Sequence, residues 1–193
     1  MIGDFVLERK TRETNISLRV CFNKNINFIE INSGIPFFDH LLMQTSFHGC
    51  FSTYLKCAGD LDVDTHHTVE DIGIVYGKLF GDIFKLKQAE RYVFSFVPFD
   101  DALTRIVLDI SGRPYLVFNV QNKNHEIKGI SMYTIMEFFK SFTSHSKTTI
   151  HIENYGFNNH HKMESIFKCF GILLKRVFDL KKSKHNYSTK DLW

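Results

Sequence analysis

The chain begins with apolar and polar residues in alternation, which is the two-residue period of half-buried β-strands. This pattern predicts three strands, at residues 5–11, 15–22 and 27–33. Residues 36–49 have proline first, apolar residues at helical spacing and glycine last, so they predict an α-helix. Residues 52–58 are again typical of a strand. Residues 66–87 predict a long helix with one apolar face, formed by Ile72, Val75, Leu79 and Ile83.

The second half of the chain predicts the same order of elements. The predicted strands are residues 91–99, 102–111, 115–121 and 148–153, and the predicted helices are residues 131–145 and 160–178. Three strands, a helix, a strand and a helix therefore occur twice, with a seam near residues 85–92. We expect an α+β fold of two pseudo-symmetric halves, each a small mixed β-sheet with two helices packed on one face. The halves are expected at residues 1–90 and 91–193, packed together as one unit.

Two short segments support an internal duplication. "HLLMQTSFH" at 40–48 lies over "EFFKSFTSH" at 137–145 with an offset of 97, and "HHTVE" at 66–70 lies over "HHKME" at 160–164 with an offset of 94. The change in offset implies one short length difference in a loop. Because order, spacing and polar content all agree, duplication is a better explanation than chance.

The repeated HHxxE pattern predicts a pair of metal sites. In a helix, residues four apart share one face, so His66 points with Glu70 and His160 points with Glu164. The second histidine of each pair points about 100° away, so each helix can offer a His–Glu pair to one metal and a single histidine to another. Imidazole and carboxylate ligands without thiolate suit an octahedral Mn²⁺-type site as well as Zn²⁺. Eight ligands are predicted in all: His40, His66, His67, Glu70, Glu137, His160, His161 and Glu164.

A single HH pair is more often a surface or capping feature than a ligand set, so the metal interpretation depends on the second copy in register. The other histidines are interpreted as structural, and they are His48, His125, His145, His151 and His185. The alternation of apolar and polar residues marks Glu13 as exposed. Arg113, in the turn at 111–116, either binds an anion or belongs to a solvated turn, and both alternatives stay open.

Composition narrows the classes of function. The chain has 193 residues, of which 44% are hydrophobic and 23% charged, so it is an ordinary globular protein and not a disordered one. A net charge of +3 is too small to indicate nucleic acid, although it suits a small anionic substrate. The four cysteines form no C-x-x-C pair, and neither a signal peptide nor a membrane-length apolar run is evident. We therefore expect a cytoplasmic protein with free thiols.

Four segments resemble the signature segments of imidazoleglycerol-phosphate dehydratase, an enzyme family of histidine biosynthesis. They are "SGIPFFDHLLMQTSFHG" (33–49), "GDLDVDTHHTVEDIG" (59–73), "SGRPYLVFN" (111–119) and "NNHHKMESIFK" (158–168). The resemblance runs from about Glu8 to Lys190. Because no phosphatase domain is attached, the chain resembles the monofunctional form of the family. It implies two pseudo-symmetric α+β halves, two Mn²⁺ per active site, and a 24-subunit homo-oligomer of trimers with active sites shared between subunits. It implies neither a nucleic-acid nor a membrane partner.

Carried over residue by residue, the resemblance implies the same eight metal ligands. It further implies contacts with a phosphate-bearing substrate from Glu13, Arg91, Arg113, Lys168, Ser188, Thr189 and Lys190. Some positions depart from the family pattern. Glu137 stands where many members have histidine, and Asp62 and Thr65 stand where histidine and aspartate are common. Tyr187 and Asp191 replace the usual proline and glycine of the tail.

The implied reaction removes water from D-erythro-imidazole-glycerol phosphate and yields imidazole-acetol phosphate. Two metals on the ring nitrogens are expected to hold an imidazolate, which expels the adjacent hydroxyl to give a diazafulvene with an acidified neighbouring C–H. Glu13 is the expected base and Lys168 a positioning or proton-transferring residue. Two other functions are compatible with the predicted metal ligands when these are considered alone. One is a dinuclear phosphoester hydrolase, which would release phosphate, and the other is a non-catalytic protein whose metals join subunits.

Overall fold

The computed structural model describes residues 3–22, 28–87, 89–121 and 126–179 of the chain. The first half contains β1 (Asp4–Lys10), β2 (Thr14–Cys21), β3 (Ile29–Asn32), α1 (Pro36–Gly49), β4 (Ser52–Gly59) and α2 (His66–Lys87). The second half contains β5 (Tyr92–Phe99), β6 (Ala102–Asp109), β7 (Tyr115–Val120), β8 (Glu126–Ile127), β9 (Ile130–Ser131), α3 (Met132–Ser146), β10 (Thr149–Tyr155) and α4 (Asn159–Asp179).

Each half builds its own four-stranded mixed sheet, and the two sheets have the same topology. The strand orders are β1-β2-β4-β3 and β5-β6-β10-β7. In each sheet the last pair is parallel and the other pairs are antiparallel. The two-residue alternation puts one face of each sheet into the core, as half-buried strands require. The expected α+β fold with two similar halves is thus confirmed.

The four helices lie between the two sheets and pair across the halves. α1 and α2 contact strands of the first sheet, whereas α3 and α4 contact strands of the second. The helix pairs, however, are α2 with α3 and α1 with α4. Phe38, Phe138 and Phe167, from three different helices, meet in the centre with ring centroids 5.6 to 6.1 Å apart. The helix ends that carry the HHxxE patterns are therefore fixed by contacts between halves.

Glycine permits the close approach of the paired helices. A Cβ added at Gly73 on α2 would lie 2.5 Å from the Phe138 carbonyl oxygen on α3, and one at Gly77 would lie 2.5 Å from that of Phe142. On the other side, a Cβ at Gly171 on α4 would collide with the Thr45 carbonyl on α1. Backbone-to-backbone contact at both interfaces holds α1 and α3 against the helices that carry the histidine pairs.

The helix predictions for residues 36–49 and 66–87 agree with α1 and α2 at both ends. The other predicted elements are present with ends that differ by one or two residues. Sequence reasoning missed the short β8–β9 hairpin, which precedes α3. Among the described residues, no helix is both long and apolar enough to cross a membrane.

Candidate active site

The first cluster of predicted ligands forms where the start of α4 meets the start of α1. One carboxylate oxygen of Glu164 lies 2.9 Å from His160 Nε2 and 3.1 Å from His40 Nε2. The ligand atoms of the three residues all lie within 4.8 Å of one another. Only 8% of the Glu164 side chain is exposed, while both imidazoles remain substantially exposed. A cation from solvent would meet two imidazole nitrogens above one buried carboxylate.

Lys168 keeps the carboxylate of this cluster charged. Its Nζ lies 2.8 Å from the second Glu164 oxygen and 3.6 Å from the centre of the Phe99 ring. Burial by itself would raise the pKa of Glu164, but the hydrogen bonds from Lys168, His40 and His160 outweigh it and lower that pKa to about 2. The cluster therefore offers an anionic oxygen throughout the neutral pH range.

The second cluster is the pseudo-symmetric counterpart at the start of α2, next to α3. His66 Nε2 lies 3.5 Å from Glu70, with the spacing of four residues that sequence predicts. Ser141 on α3 donates a hydrogen bond to Glu70 at 3.5 Å, which places the two helices side by side at this point. Glu137, one turn before Ser141, pairs with Lys140 Nζ at 3.0 Å. His66 and Glu70 are thus brought together, whereas Glu137 pairs with Lys140; among the described residues, only His40, His160 and Glu164 form a group close enough to hold one ion.

The second histidine of each pair points to a different group of carboxylates. His67 Nδ1 lies 2.9 Å from Asp60, and His161 Nδ1 lies 2.6 Å from Asp101. The hydrogen bond to Asp60 raises the pKa of His67. A carboxylate on Nδ1 orients each ring and directs Nε2 outward, which is the usual support for a histidine ligand. Asp60 and Asp101 were missed by sequence reasoning because no spacing rule links them to the histidines.

Both HHxxE helices start with the same local device. The Asp64 side chain accepts a hydrogen bond from the backbone N–H of His66 at 2.7 Å, and the Asn158 side chain accepts one from His160 at 2.9 Å. Each acceptor stands two residues before its histidine, and such Asx turns are common at helix starts. Asp101 further accepts hydrogen bonds from the backbone N–H groups of Phe157 and Asn158, and these bonds, with that from His161, lower its pKa.

Glu13 lies in the turn between β1 and β2 and reaches toward the second cluster. Its carboxylate is 3.8 Å from His67 Nε2, and 52% of the side chain is exposed. The exposure inferred from its alternation pattern is observed. The backbone on either side is fixed, because Glu13 donates to Thr11 Oγ1 and accepts from the Asp60 N–H. The carboxylate is therefore both anchored and accessible to a substrate.

Two of the predicted substrate-binding arginines meet at Asp109. Arg91 is buried and pairs with Asp109 through Nε at 2.8 Å, while Arg113 is 67% exposed and lies 3.7 Å from the same carboxylate. The hydrogen bond that Arg91 donates to Asp109 raises the pKa of Arg91. One carboxylate facing two guanidinium groups leaves one positive charge in excess, which suits an anion. Ser188, Thr189 and Lys190 lie outside the described residues.

Positions that depart from the family pattern have structural partners of their own. Thr65 donates to the Gly129 carbonyl at 2.8 Å and so ties the start of α2 to the β8–β9 turn, while Asp62 is exposed.

His145, interpreted as structural, lies with Nδ1 2.8 Å from the Ser141 carbonyl. Burial lowers the pKa of His48, and the positive charge of Lys168 lowers it further.

The fold and site together define a class of protein: a duplicated α+β protein with a histidine–carboxylate cluster at the start of one helix and a matching His–Glu pair at the start of another. Residues 33–174 match the family model described as imidazoleglycerol-phosphate dehydratase. The chain belongs to the imidazoleglycerol-phosphate dehydratase family, whose members are hydro-lyases of histidine biosynthesis. The resemblance carried by the four signature segments is confirmed.

Relatives cover nearly the whole chain. An imidazoleglycerol-phosphate dehydratase from Methanococcus vannielii is 40% identical over 188 residues, which are 97% of this chain and 98% of the relative. One from Caldicellulosiruptor bescii is 43% identical and covers 89% of each chain. Crystal structures of the dehydratases from Staphylococcus aureus and Pyrococcus furiosus both superpose with a TM-score of 0.79. Their identities are 32% and 29%; the matches cover 91% and 97% of this chain, and 98% and 100% of theirs.

Proposed function

We propose that this chain catalyses the metal-dependent dehydration of D-erythro-imidazole-glycerol phosphate to imidazole-acetol phosphate. The observation that carries the proposal is the pair of pseudo-symmetric clusters at the starts of α2 and α4. The first brings His40, His160 and Glu164 from two helices to one point, and its counterpart pairs His66 with Glu70 beside Ser141 of α3. The long family match favours a dehydratase over a phosphoester hydrolase, which the ligand types alone would also allow.

The residues fit a divalent metal of intermediate hardness, with Mn²⁺ as the expected ion. His40, His160 and Glu164 would hold one ion, and His66, Glu70 and Glu137 the other. The described group that could hold an ion contains no cysteine, and burial raises the pKa of the Cys57 and Cys169 thiols to about 12. These residues would hold the ions, and the ions would supply Lewis-acid chemistry that favours loss of the hydroxyl next to the substrate's imidazole ring.

The chain's own residues would manage the proton and the phosphate. Glu13 is the proposed base. It takes the C–H proton from the carbon adjacent to the one that loses its hydroxyl, which leaves an enol that becomes the ketone. Positioned acid–base groups of this kind contribute about 10²–10⁴-fold to rate. Lys168, fixed between Glu164 and Phe99, is placed to orient the substrate or protonate the leaving hydroxyl as water. Arg113, the more exposed guanidinium beside Asp109, would bind the phosphate first.

We further infer that the active site is shared between copies of this chain. Each proposed set has three protein ligands, and His67 and His161 belong to neither set: their Nε2 atoms lie 3.8 Å from Glu13 and 3.7 Å from Asp100. A histidine from a neighbouring copy would complete each metal's set. This arrangement makes the homo-oligomer, proposed as a 24-mer of trimers, a requirement for activity.

The outer faces of the two sheets support assembly. On the second sheet, exposed apolar side chains surround the exposed Arg105–Glu153 ion pair, and they are Tyr92, Phe94, Phe96, Val107 and Tyr155. The equivalent face of the first sheet carries mainly polar and charged residues, such as Glu8, Arg19 and Lys56. Large exposed aromatic surfaces commonly mark interfaces. We propose that a second copy of this chain covers the apolar face.

Subunit complementation tests the shared site. His67→Ala and Glu164→Gln should each abolish turnover, because one removes the donated histidine and the other the buried carboxylate. When the two variants are co-expressed in equal amounts, some sites would combine an intact cluster from one variant with an intact His67 from the other. Random assembly would restore on the order of a quarter of the sites. No recovery of turnover would contradict the sharing of ligands between chains.

The matched control pairs two residues of one cluster. His40→Ala with Glu164→Gln damages the same chain-internal cluster in every copy, so no mixed site is intact and turnover should stay absent. His67→Ala alone should also lower metal content and the fraction of large assembly, measured by elemental analysis and light scattering. A fully loaded, intact assembly in that variant would count against the role of His67.

A further inference from the structure

A chain of hydrogen bonds leads from the turn that carries Glu13 to Asp71 on α2. The Glu13 N–H donates to Thr11 Oγ1 at 3.1 Å, and Thr11 Oγ1 lies 3.3 Å from Thr14 Oγ1. Thr14 Oγ1 donates to one Asp71 oxygen, and Arg9 donates to the other at 2.8 Å. Because Thr14 uses its single hydroxyl proton on Asp71, Thr11 must be the donor in the contact between the two threonines. Thr11, Thr14, Asp71 and Arg9 thus form one network, the Asp71 network, in which every donor points toward the carboxylate.

We propose that Asp71 and Arg9 are positioning residues that hold Glu13 in place for proton removal. The inference rests on the proposed role of Glu13 as the base and adds the groups that orient it. The Glu13 side chain is 52% exposed, and its carboxylate lies 3.8 Å from His67 Nε2. That distance is too long for a hydrogen bond. The direction of the Glu13 carboxylate therefore depends on the backbone of residues 11–14, which the Asp71 network holds.

Burial makes Asp71 a firm anchor for this turn. Only 8% of the Asp71 side chain is exposed, against 28% for that of Arg9. A buried carboxylate needs an opposite charge and hydrogen-bond donors, and Arg9 and Thr14 supply both. Asp71 directly follows Glu70 on α2, so the anchor and the first HHxxE pattern belong to the same helix. The network therefore sets the position of Glu13 relative to that pattern.

The second half of the chain makes the equivalent contact without charged groups. Thr104 on β6 lies 2.7 Å from Ser165 on α4, and Asn154 donates to Thr104 at 2.7 Å. Ser165 directly follows the second HHxxE glutamate, as Asp71 follows the first. Neutral groups are therefore enough to join strand and helix at this place in the fold. The charged version occurs in the half whose turn carries Glu13, which favours a role in positioning over a role in folding alone.

A double-mutant cycle with Glu13→Gln separates positioning from general stability. On the assembled protein loaded with Mn²⁺, Asp71→Asn should lower kcat about 10- to 100-fold, because a misplaced catalytic group loses about that much rate. KM should stay nearly unchanged, since the interaction acts in the transition state. In the Glu13→Gln background, Asp71→Asn should cause little further loss, because the base that it orients is already gone.

The outcomes of this cycle distinguish the inference from the proposed function. An unchanged kcat in Asp71→Asn, or losses that multiply in the double variant, would overturn the positioning role and leave Glu13 as the base. Full turnover in Glu13→Gln would overturn the base and the positioning role together. Absence of dehydration by the unsubstituted protein would overturn the proposed function itself.

Thr14→Val tests the network without touching the buried charge pair. It removes one hydroxyl, so hydrogen exchange at residues 11–14 of the metal-free protein, measured by mass spectrometry, should become about 3- to 10-fold faster. Thr14→Ser keeps the hydroxyl and should retain both slow exchange and turnover. Thr104→Val, the matched control, removes the equivalent hydroxyl of the second half and should leave exchange at residues 11–14 unchanged. Unchanged exchange and turnover in Thr14→Val would overturn the proposal.

Discussion

Gly73 is the position where a single methyl group tests how the clusters are held. In Gly73→Ala, the new Cβ would lie 2.5 Å from the Phe138 carbonyl oxygen and 3.1 Å from Ser141 Cβ. Ordinary van der Waals contact begins near 3.4 Å, so α3 must retreat from α2 by roughly 0.5–0.9 Å. The obstruction is backbone, which cannot turn aside as a flexible side chain would.

The expected result is a loss of stability despite a better helix former. Overpacking of this kind costs about 1–3 kcal/mol, and the gain in helix propensity returns at most about 1 kcal/mol. We expect the free energy of unfolding to fall by about 1–2 kcal/mol. Ser141 would also move away from Glu70, so the second cluster should bind Mn²⁺ more weakly while the first is unaffected.

The assay is urea unfolding of the metal-free protein, followed by circular dichroism at one fixed chain concentration, because the proposed assembly would make stability depend on concentration. Lys78→Ala is the matched control, since Lys78 is exposed on the same helix and should change stability by less than about 0.5 kcal/mol. Equal or greater stability in Gly73→Ala would refute the close backbone packing of α2 on α3.

Three further predictions concern chemistry, pH and assembly. Glu13→Gln should keep metal and substrate binding, measured by calorimetry, but lose about 10²–10⁴-fold in turnover; near-normal turnover would remove Glu13 as the base. The depressed pKa of Glu164 means that its stabilising contribution is present above its unfolded pKa near 4.5 and is lost as pH falls toward about 2. The stability of metal-free Glu164→Gln should therefore fall less steeply as the pH is lowered. The same loss of stability at acid pH in the variant and the original protein would contradict the lowered pKa of Glu164. Phe94→Lys should dissociate the assembly in light scattering, whereas Lys56→Ala on the first sheet should not, and an intact assembly in Phe94→Lys would exclude the apolar face as an interface.

The sequence predicted the fold where local signals were strong. A proline at the start and a glycine at the end of residues 36–49 marked both ends of α1 in the sequence. The long apolar face of α2 identified that helix. The β8–β9 hairpin was missed because strands of two residues carry no periodic pattern. The repeat of HHxxE was enough to predict that His66 lies beside Glu70 and His160 beside Glu164, since residues four apart on a helix share a face.

The supporting residues could not be predicted in the same way. Asp101 reaches His161 across 60 residues of sequence and Arg91 reaches Asp109 across a strand pair, and neither distance follows from spacing in the chain. The pairing of Glu137 with Lys140 was overlooked for a different reason, since an exposed lysine three residues after a glutamate is ordinary on a helix surface.

Chelation followed by restoration of Mn²⁺ tests most directly whether these clusters carry the dehydration. Metal content and turnover are measured on the same purified assembly before chelation, after it, and after Mn²⁺ is returned. Turnover is predicted to vanish with the metal and to return with it, giving an α-phosphoketone and no free phosphate. Full turnover in metal-free protein, or release of phosphate as the product, would contradict the account.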